Sequence, residues 1–283
     1  MMWEATKKAH RFEGRSGVSD KRQKMTAIND FVRDTLALAD VELRKLRRDP
    51  AELLTRALQP ALWLIVFGQV FARLKAIPTG QLDYLSFMAP GILAQSVLFI
   101  AIFYGISVIW EKDLGILHKL LVSPAPRSAL VLGKALSAGV RGLSQGVIIY
   151  ILALLLRIPL DFRLLHVLGV ILFIILGSAL FATFSLAVAC VVKTRERFMG
   201  IGQVLTMPLF FASNAIYPIA TMPGWVSVIA KANPLSYQVD ALRSLMIQGG
   251  NSIFGLGADA AVLFFVFVFL LVLTATIYPN VVR

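Results

Sequence analysis

Gly133-Lys134 is the fragment of this chain nearest to a phosphate-binding loop, and it fails on spacing. No glycine stands at the required upstream position, and Ala135 occupies the place where Ser or Thr would bind magnesium. ATP hydrolysis through a P-loop is therefore not expected here. The histidines His10, His118 and His166 lie in separate regions, without metal-ligand spacing and with no nucleophile beside them. Surface or interfacial roles suit them, and no enzyme activity is expected. The single cysteine, Cys190, allows no internal disulfide, and its apolar setting reads as an inert buried thiol. What remains is a set of neutral polar residues inside apolar runs: Gln69, Gln95, Ser96, Ser107, Ser144, Gln145, Gln203 and Asn214. Such groups either line a route for an amphipathic molecule or bridge neighbouring helices by hydrogen bonds.

The elements that hold these residues belong in a bilayer. The 283 residues are 58% hydrophobic and only 16% charged, with a mean hydropathy of +0.76. A soluble domain carries about a quarter charged residues. The net charge of +12 raises the question of nucleic acid, but the basic residues flank long apolar runs and read as topology signals. Six stretches, near 57–75, 86–109, 137–156, 166–191, 200–217 and 257–279, are apolar enough to cross as helices. An inside N-terminus leaves 21 Lys and Arg inside and six outside, with Arg141 snorkelling from the third span, so both termini are expected in the cytosol. No acidic residue lies within the span interiors, Asp259 being at the outer end of the sixth, which argues against an ion-coupled carrier.

Between spans two and three lies the longest polar interruption, Glu111 to Lys134. Leu114, Leu117, Leu121 and Val122 recur at helical spacing, while Lys112, Asp113, His118 and Lys119 fall largely elsewhere. Ser123-Pro124-Ala125-Pro126 then stops the helix. A short amphipathic helix held between two spans suits a knob that a soluble partner pushes; the plainer alternative is a helix lying on lipid headgroups. Residues 1–27 read as a disordered basic cytosolic tail without the apolar core of a signal peptide. Residues 28–50 read as an amphipathic interfacial helix ending at Asp49-Pro50. The segment 218–252 is too apolar for a solvated loop. Pro223 can open one short helix, and Asn233-Pro234 reads as an N-cap followed by proline at the first helical position. Two short helices there can dip in and return, or lie at the interface as packing.

Three blocks resemble the type-2 exporter permeases of ATP-binding-cassette systems, within which the daunorubicin-resistance and nodulation-type permeases are most similar. They are Glu111-Lys112-Asp113-Leu114-Gly115 through Leu121-Val122-Ser123-Pro124 and Arg127; Pro208 to Asn214 with Tyr217-Pro218; and Asn233-Pro234-Leu235-Ser236-Tyr237 with Asp240 and Arg243. His118-Lys119 departs from the pattern, since many relatives carry an acidic or amide residue there.

The resemblance implies an all-α membrane protein with six transmembrane helices, a cytosolic coupling helix and an extracellular re-entrant hairpin, occupying 51–283. It implies a permease that moves a drug or glycolipid out across the cytoplasmic membrane, with a polysaccharide exporter or a non-transporting assembly factor as alternatives. The implied partners are two copies of a cytosolic ATPase, which carry the ATP and Mg, and a second permease, identical or homologous. No nucleic acid and no cofactor on this chain are expected. Glu111, Leu114, Gly115, Leu117, Leu121, Pro124 and Arg127 are the expected coupling residues. Gln95, Asn214, Tyr217, Pro218, Asn233, Pro234, Asp240 and Arg243 are expected along the pathway and its outer gate, with Asp240 and Arg243 one turn apart and able to pair, weakly if exposed and with more effect in a dry site against a second copy.

Overall fold

The computed structural model describes residues 55, 58–75, 77–106, 109–110, 114, 127–192 and 194–277. The expected tail 1–27, the interfacial helix 28–50 and most of the coupling segment lie outside these residues. Among the described residues the chain is mostly helical, with no strand beyond an isolated antiparallel bridge between Leu160 and Ile247. The helices are α1 (Leu58–Leu74), α2 (Tyr84–Tyr104), α3 (Arg127–Leu155), α4 (Leu164–Val191), α5 (Arg195–Phe211), α6 (Gly224–Ala232), α7 (Pro234–Met246) and α8 (Leu256–Ile277).

Among the described residues, four helices are long and apolar enough to cross a membrane: α2, α3 from Val131, α4 and α8. The first and fifth expected spans are shorter. Both α1 and α5 have 17 residues, about 25 Å of helix against a hydrocarbon core of about 30 Å. The centre of α1 is a π-helical stretch, Trp63–Gly68. Helix α3 begins ten residues before the expected 137, because Lys134 and Ser137 interrupt hydropathy without interrupting the helix; Ser137 Oγ donates to Gly133 O at 2.9 Å.

The core is built around α2, buried along almost its whole length, which packs against α1, α3, α4, α5 and α7. Helix α4 fits against α3 at the small residues of the third expected span. A Cβ at Gly142 would stand 2.2 Å from Ser178 Oγ, and one at Gly146 2.9 Å from Ile174 Cδ1, so these two glycines, four residues apart, permit a close helix contact. Cys190 is buried on α4. Outward, the helices present Leu165 and Leu172 on α4 and Phe265 and Phe269 on α8. An apolar exterior of this kind is solvated by lipid chains.

At the start of α4, Asp161 accepts the Arg163 amide at 3.0 Å and its guanidinium at 2.6 Å, with His166 Nδ1 at 3.0 Å. These hydrogen bonds from Arg163 hold the Asp161 carboxyl down at about 2. The adjoining loop is tied to the end of α7, where Asp161 N donates to Met246 O and Gln248 N to Pro159 O, each at 2.9 Å.

Candidate functional site

Helix α5 runs through Pro208, ends at Phe211 and leaves a stretch of backbone that the rest of the molecule must satisfy. The fifth span was expected to run through Tyr217; instead the helix stops at Phe211, four residues after Met207 gives way to Pro208, and 212–217 runs as turns. Carbonyl oxygens at such an end have no helical donors, and in a dry setting each needs one. The donors are side chains. Asn233 Nδ2 donates to Leu209 O at 2.7 Å and to Ala212 O at 3.0 Å. Ser213 Oγ donates to Phe210 O, and the Tyr217 hydroxyl to Phe211 O. Arg243 Nη2 reaches Asn214 O at 2.6 Å, and the Tyr84 hydroxyl reaches Ile216 O at 3.2 Å.

Helix α7 and its cap supply two of the three long-range donors, Tyr84 of α2 being the third, because α7 is held inside the bundle, against α2, α4 and α8. Its start follows the expected chemistry: Asn233 Oδ1 accepts from Leu235 N at 3.0 Å, and Pro234 occupies the first helical position, where no amide is needed. Leu235, Val239, Leu242 and Met246 are all buried, but so are Ser236, Gln238, Asp240 and Arg243. Backbone approach is tight on two sides. A Cβ at Gly91 of α2 would stand 2.3 Å from Ala215 O, and one at Gly177 of α4 would stand 2.2 Å from Gln238 Nε2.

Asp240 and Arg243 are both buried, and the hydrogen bonds they make go to other segments. Arg243 Nε donates to Phe87 O at 3.2 Å, and its guanidinium carbon lies 3.8 Å from the Phe87 ring centroid. Pro90, inside the same helix, supplies no amide to Ser86 O, the carbonyl one residue before Phe87. Asp240 faces the other way. Its Oδ2 accepts Ile253 N at 2.7 Å, Phe254 N at 3.0 Å and Ser252 Oγ at 2.8 Å, fixing the entry to α8. Ser252 Oγ also lies 3.1 Å from Asp259 Oδ2. Each side chain binds another segment's backbone, so spacing alone misassigned their partners.

The structure therefore brings Asn214, Tyr217, Asn233 and Arg243 together at one end of the bundle, with Pro234 opening α7 and Asp240 behind it. Pro218 adjoins them, and its carbonyl accepts Thr221 Oγ1 at 2.7 Å. Gln95 is buried two turns further along α2 and takes no part in these hydrogen bonds. Tyr84, Phe87 and Ser252 are the participants that sequence reading missed. Tyr84 carried a signal, standing directly after the α2 cap Asp83 where a span meets its boundary. The Asn214 side-chain amide is fully buried and finds no partner among the described residues.

Glu111, Gly115, Leu117, Leu121 and Pro124 lie outside the described residues. Leu114 is 67% exposed, with its amide donating to Trp110 O at 3.0 Å, and Arg127 opens α3. Arg195, at the start of α5, sits 3.9 Å over the Trp110 ring. Among the neutral polar residues, Ser96 donates to Ile92 O at 2.8 Å and Ser144 to Arg141 O at 2.6 Å, both within their own helices.

The ABC-2 type transporter family model matches residues 33–247. The ycf38 protein of Cyanophora paradoxa, named as a transport permease, is 31% identical over 76% of this chain and 74% of its own length. The daunorubicin resistance permease protein DrrB1 of Streptomyces coeruleorubidus is 29% identical over 70% of this chain and 69% of its own. DrrC of Mycobacterium tuberculosis, named for doxorubicin resistance, is 24% identical over 77% of this chain and 79% of its own.

Proposed function

Because this chain belongs to the ABC-2 type transporter family, we propose that it is the membrane permease subunit of an ATP-driven exporter. Its cargo in this reading is an amphipathic molecule such as a drug or glycolipid, carried outward across the cytoplasmic membrane. The observation that carries the reading is the family match over 33–247, which takes in α1 through the hairpin of α6 and α7. The drug-resistance names of DrrB1 and DrrC support a drug-like cargo. Energy comes from two copies of a cytosolic ATPase that hold ATP and Mg, and a second permease completes the pathway.

In this reading 51–283 forms a six-span domain, with α1 and α5 as the short first and fifth spans. The basic tail, the interfacial helix 28–50 and both termini face the cytosol. The α6–α7 hairpin then lies on the exit side, where Asn214, Tyr217, Asn233 and Arg243 close the pathway. The coupling segment, with Leu117 and Leu121 on its apolar side, docks on the ATPase. The cation–π contact of Arg195 with Trp110 ties the chain just before that segment to α5, giving the push a mechanical route.

Replacing Leu117 and Leu121 together with Asp tests this directly. The variant is expected to insert in the membrane normally while losing transport and co-purification with the ATPase. Co-purification at the wild-type level would overturn the reading.

A further inference from the structure

A cavity of about 340 Å³ opens where the α1–α2 connection meets the start of the α6–α7 hairpin, with Pro78, Tyr217, Thr221, Met222, Pro223 and Val226 in its wall. That volume is within the range of sites that hold small organic molecules, roughly 300–1,000 Å³. Donors of this wall are spent inside the chain. Tyr217 gives its hydroxyl proton to Phe211 O and Thr221 gives its own to Pro218 O, while the amides of Thr221 and Met222 donate to Pro218 O and Ile219 O. Pro78 and Pro223 have no amide. Such a wall takes hydrocarbon and leaves a polar group without a partner. On the same helix as Val226, the side chains of Trp225, Val228 and Ile229 are exposed, an apolar surface suited to the boundary of a bilayer. One edge of the cavity is basic. Lys75 stands two residues before Ile77, another wall residue, so their Cα atoms are at most about 7 Å apart. Arg73 is in the last turn of α1. Both cations are exposed, and neither forms an ion pair among the described residues. Asp83, the acidic residue of this connection, is engaged at the cap of α2, where it accepts Leu85 N at 3.3 Å.

We propose that this cavity holds one acyl chain of an anionic phospholipid whose phosphate is bound by Lys75 and Arg73. A chain that leaves the bilayer for an apolar cavity gains nothing from escape from water, because lipid is already as apolar as the wall. Selectivity therefore comes from the headgroup: two unpaired cations attract a net negative lipid and discriminate against a zwitterion. Tyr217 belongs both to the cavity wall and to the turn after α5, so the bound chain braces that turn. Under the exporter reading, on which this last role rests, the turn lies at the exit.

The full chain is reconstituted in phosphatidylcholine nanodiscs that contain a small share of a lipid with a diazirine near the end of one acyl chain. The photoreactive lipid is phosphatidylglycerol, phosphatidylcholine or, as an anion without phosphate, a free fatty acid. Crosslinks at Tyr217, Met222 and residue 226 are read by mass spectrometry and normalised to those at the exposed Phe265 of α8. Phosphatidylglycerol is expected to label the cavity at least about fivefold more than phosphatidylcholine, the share of one basic residue near a bilayer surface, and more than the fatty acid. Arg73→Gln with Lys75→Asn should abolish that preference; asparagine tolerates the left-handed backbone of residue 75, φ 48°. Val226→Trp, which fills the space, should lower labelling of Tyr217 and Met222 by every lipid. A smaller headgroup preference overturns the proposal, as does one that survives the double substitution. Labelling that persists in Val226→Trp shows annular lipid only, and labelling by fatty acid equal to that by phosphatidylglycerol removes the phosphate; either result overturns it too. Should the variants fail to fold, the three lipids on wild type decide alone. Failure of ATPase co-purification would remove the role at the exit and leave this measurement intact.

Discussion

Two Asp–Arg neighbourhoods in this molecule have nearly the same spacing and opposite behaviour. Asp161 and Arg163 meet at 2.6 Å at the start of α4, with the arginine side chain 72% exposed. Asp240 and Arg243 are fully buried on α7, and each is bonded to the backbone of a different element. The difference follows from what else competes for the side chains. Near water, stray carbonyls and amides are hydrated, so the oppositely charged neighbour is the best partner available. Inside the bundle, the frayed end of α5 and the entry to α8 present unsatisfied backbone groups, each costing several kcal/mol in hydrocarbon, and Phe87 O of α2 has a lone pair to offer. A guanidinium with its fork of donors can serve two carbonyls at once. The buried arginine is therefore a structural cap shared by three elements, and the surface arginine is an ion-pair partner.

Removing the shared cap should have the largest effect. Arg243→Met retains bulk but removes the donors to Phe87 O and Asn214 O. Charge-assisted hydrogen bonds are worth about 1.5–3 kcal/mol each, and relief from burying a charge offsets part of that. A net loss of about 2–4 kcal/mol is expected, seen as a large drop in the thermal midpoint of the solubilised protein. Arg243→Lys should recover little, since an ammonium is a point donor that does not reproduce the planar reach to two carbonyls. Full recovery by lysine would show that charge alone matters and that Asp240 is its effective partner after all.

Asn233 offers an intermediate and more discriminating test, because its two ends do different work. Oδ1 caps α7, and Nδ2 bonds the end of α5. Asn233→Ala loses both, about 1 kcal/mol of it from the cap. Asn233→Asp keeps the cap and points a carboxylate at Leu209 O and Ala212 O. If the contact with α5 dominates, Asp is the worse substitution in stability and export rate, although for an isolated helix it would be a conservative change. If Asp behaves like Asn, the tie to α5 is incidental, and with it the idea that this end of the bundle gates the exit.

The same contrast explains how far the sequence could be read. Six apolar stretches, the Asn233-Pro234 cap and the Gly142/Gly146 contact follow from local pattern, and the helices stand near where those patterns put them. The depth of α7 does not follow, because Ser236, Gln238, Asp240 and Arg243 make it look interfacial by composition. In a bilayer the rule inverts: polar groups with partners go inside, while α8, apolar on every side, shows Phe264, Phe265 and Phe269 to the exterior. The end of α5 was misplaced for a related reason. Proline at 208 is tolerable within a helix, and the turn after it is secured by residues 20 or more positions away, which no local window contains. Gln145 was legible only as one polar residue among eight; that its Nε2 finds no acceptor among the described residues is a three-dimensional fact.

The smallest effect is expected at the Asp161–Arg163 pair, whose carboxylate is buried while its arginine partner reaches water, and its pH dependence has a definite sign. Hydrogen bonds from Arg163 lower the Asp161 carboxyl from its ordinary value of 3.8 to about 2. A carboxylate depressed in the folded state adds stability wherever it is ionised in both states, that is, above pH about 4. The contribution declines as pH falls from there toward 2, where folded and unfolded forms both take up the proton. Asp161→Asn should thus lower the thermal midpoint slightly at neutral pH, by less than Asn233→Ala, because a solvent-exposed partner is screened. The gap between wild type and variant should close as the pH is taken from 5 toward 2. Arg163→Ala should shift the midpoint in the same direction and reduce that pH dependence, leaving the parts due to the amide of residue 163 and to His166, each at 3.0 Å from the carboxylate. A pH-independent loss as large as that of Arg243→Met would mean that Asp161 acts as a buried cap for the loop joined to Met246 and Gln248, and the two Asp–Arg neighbourhoods would then be alike.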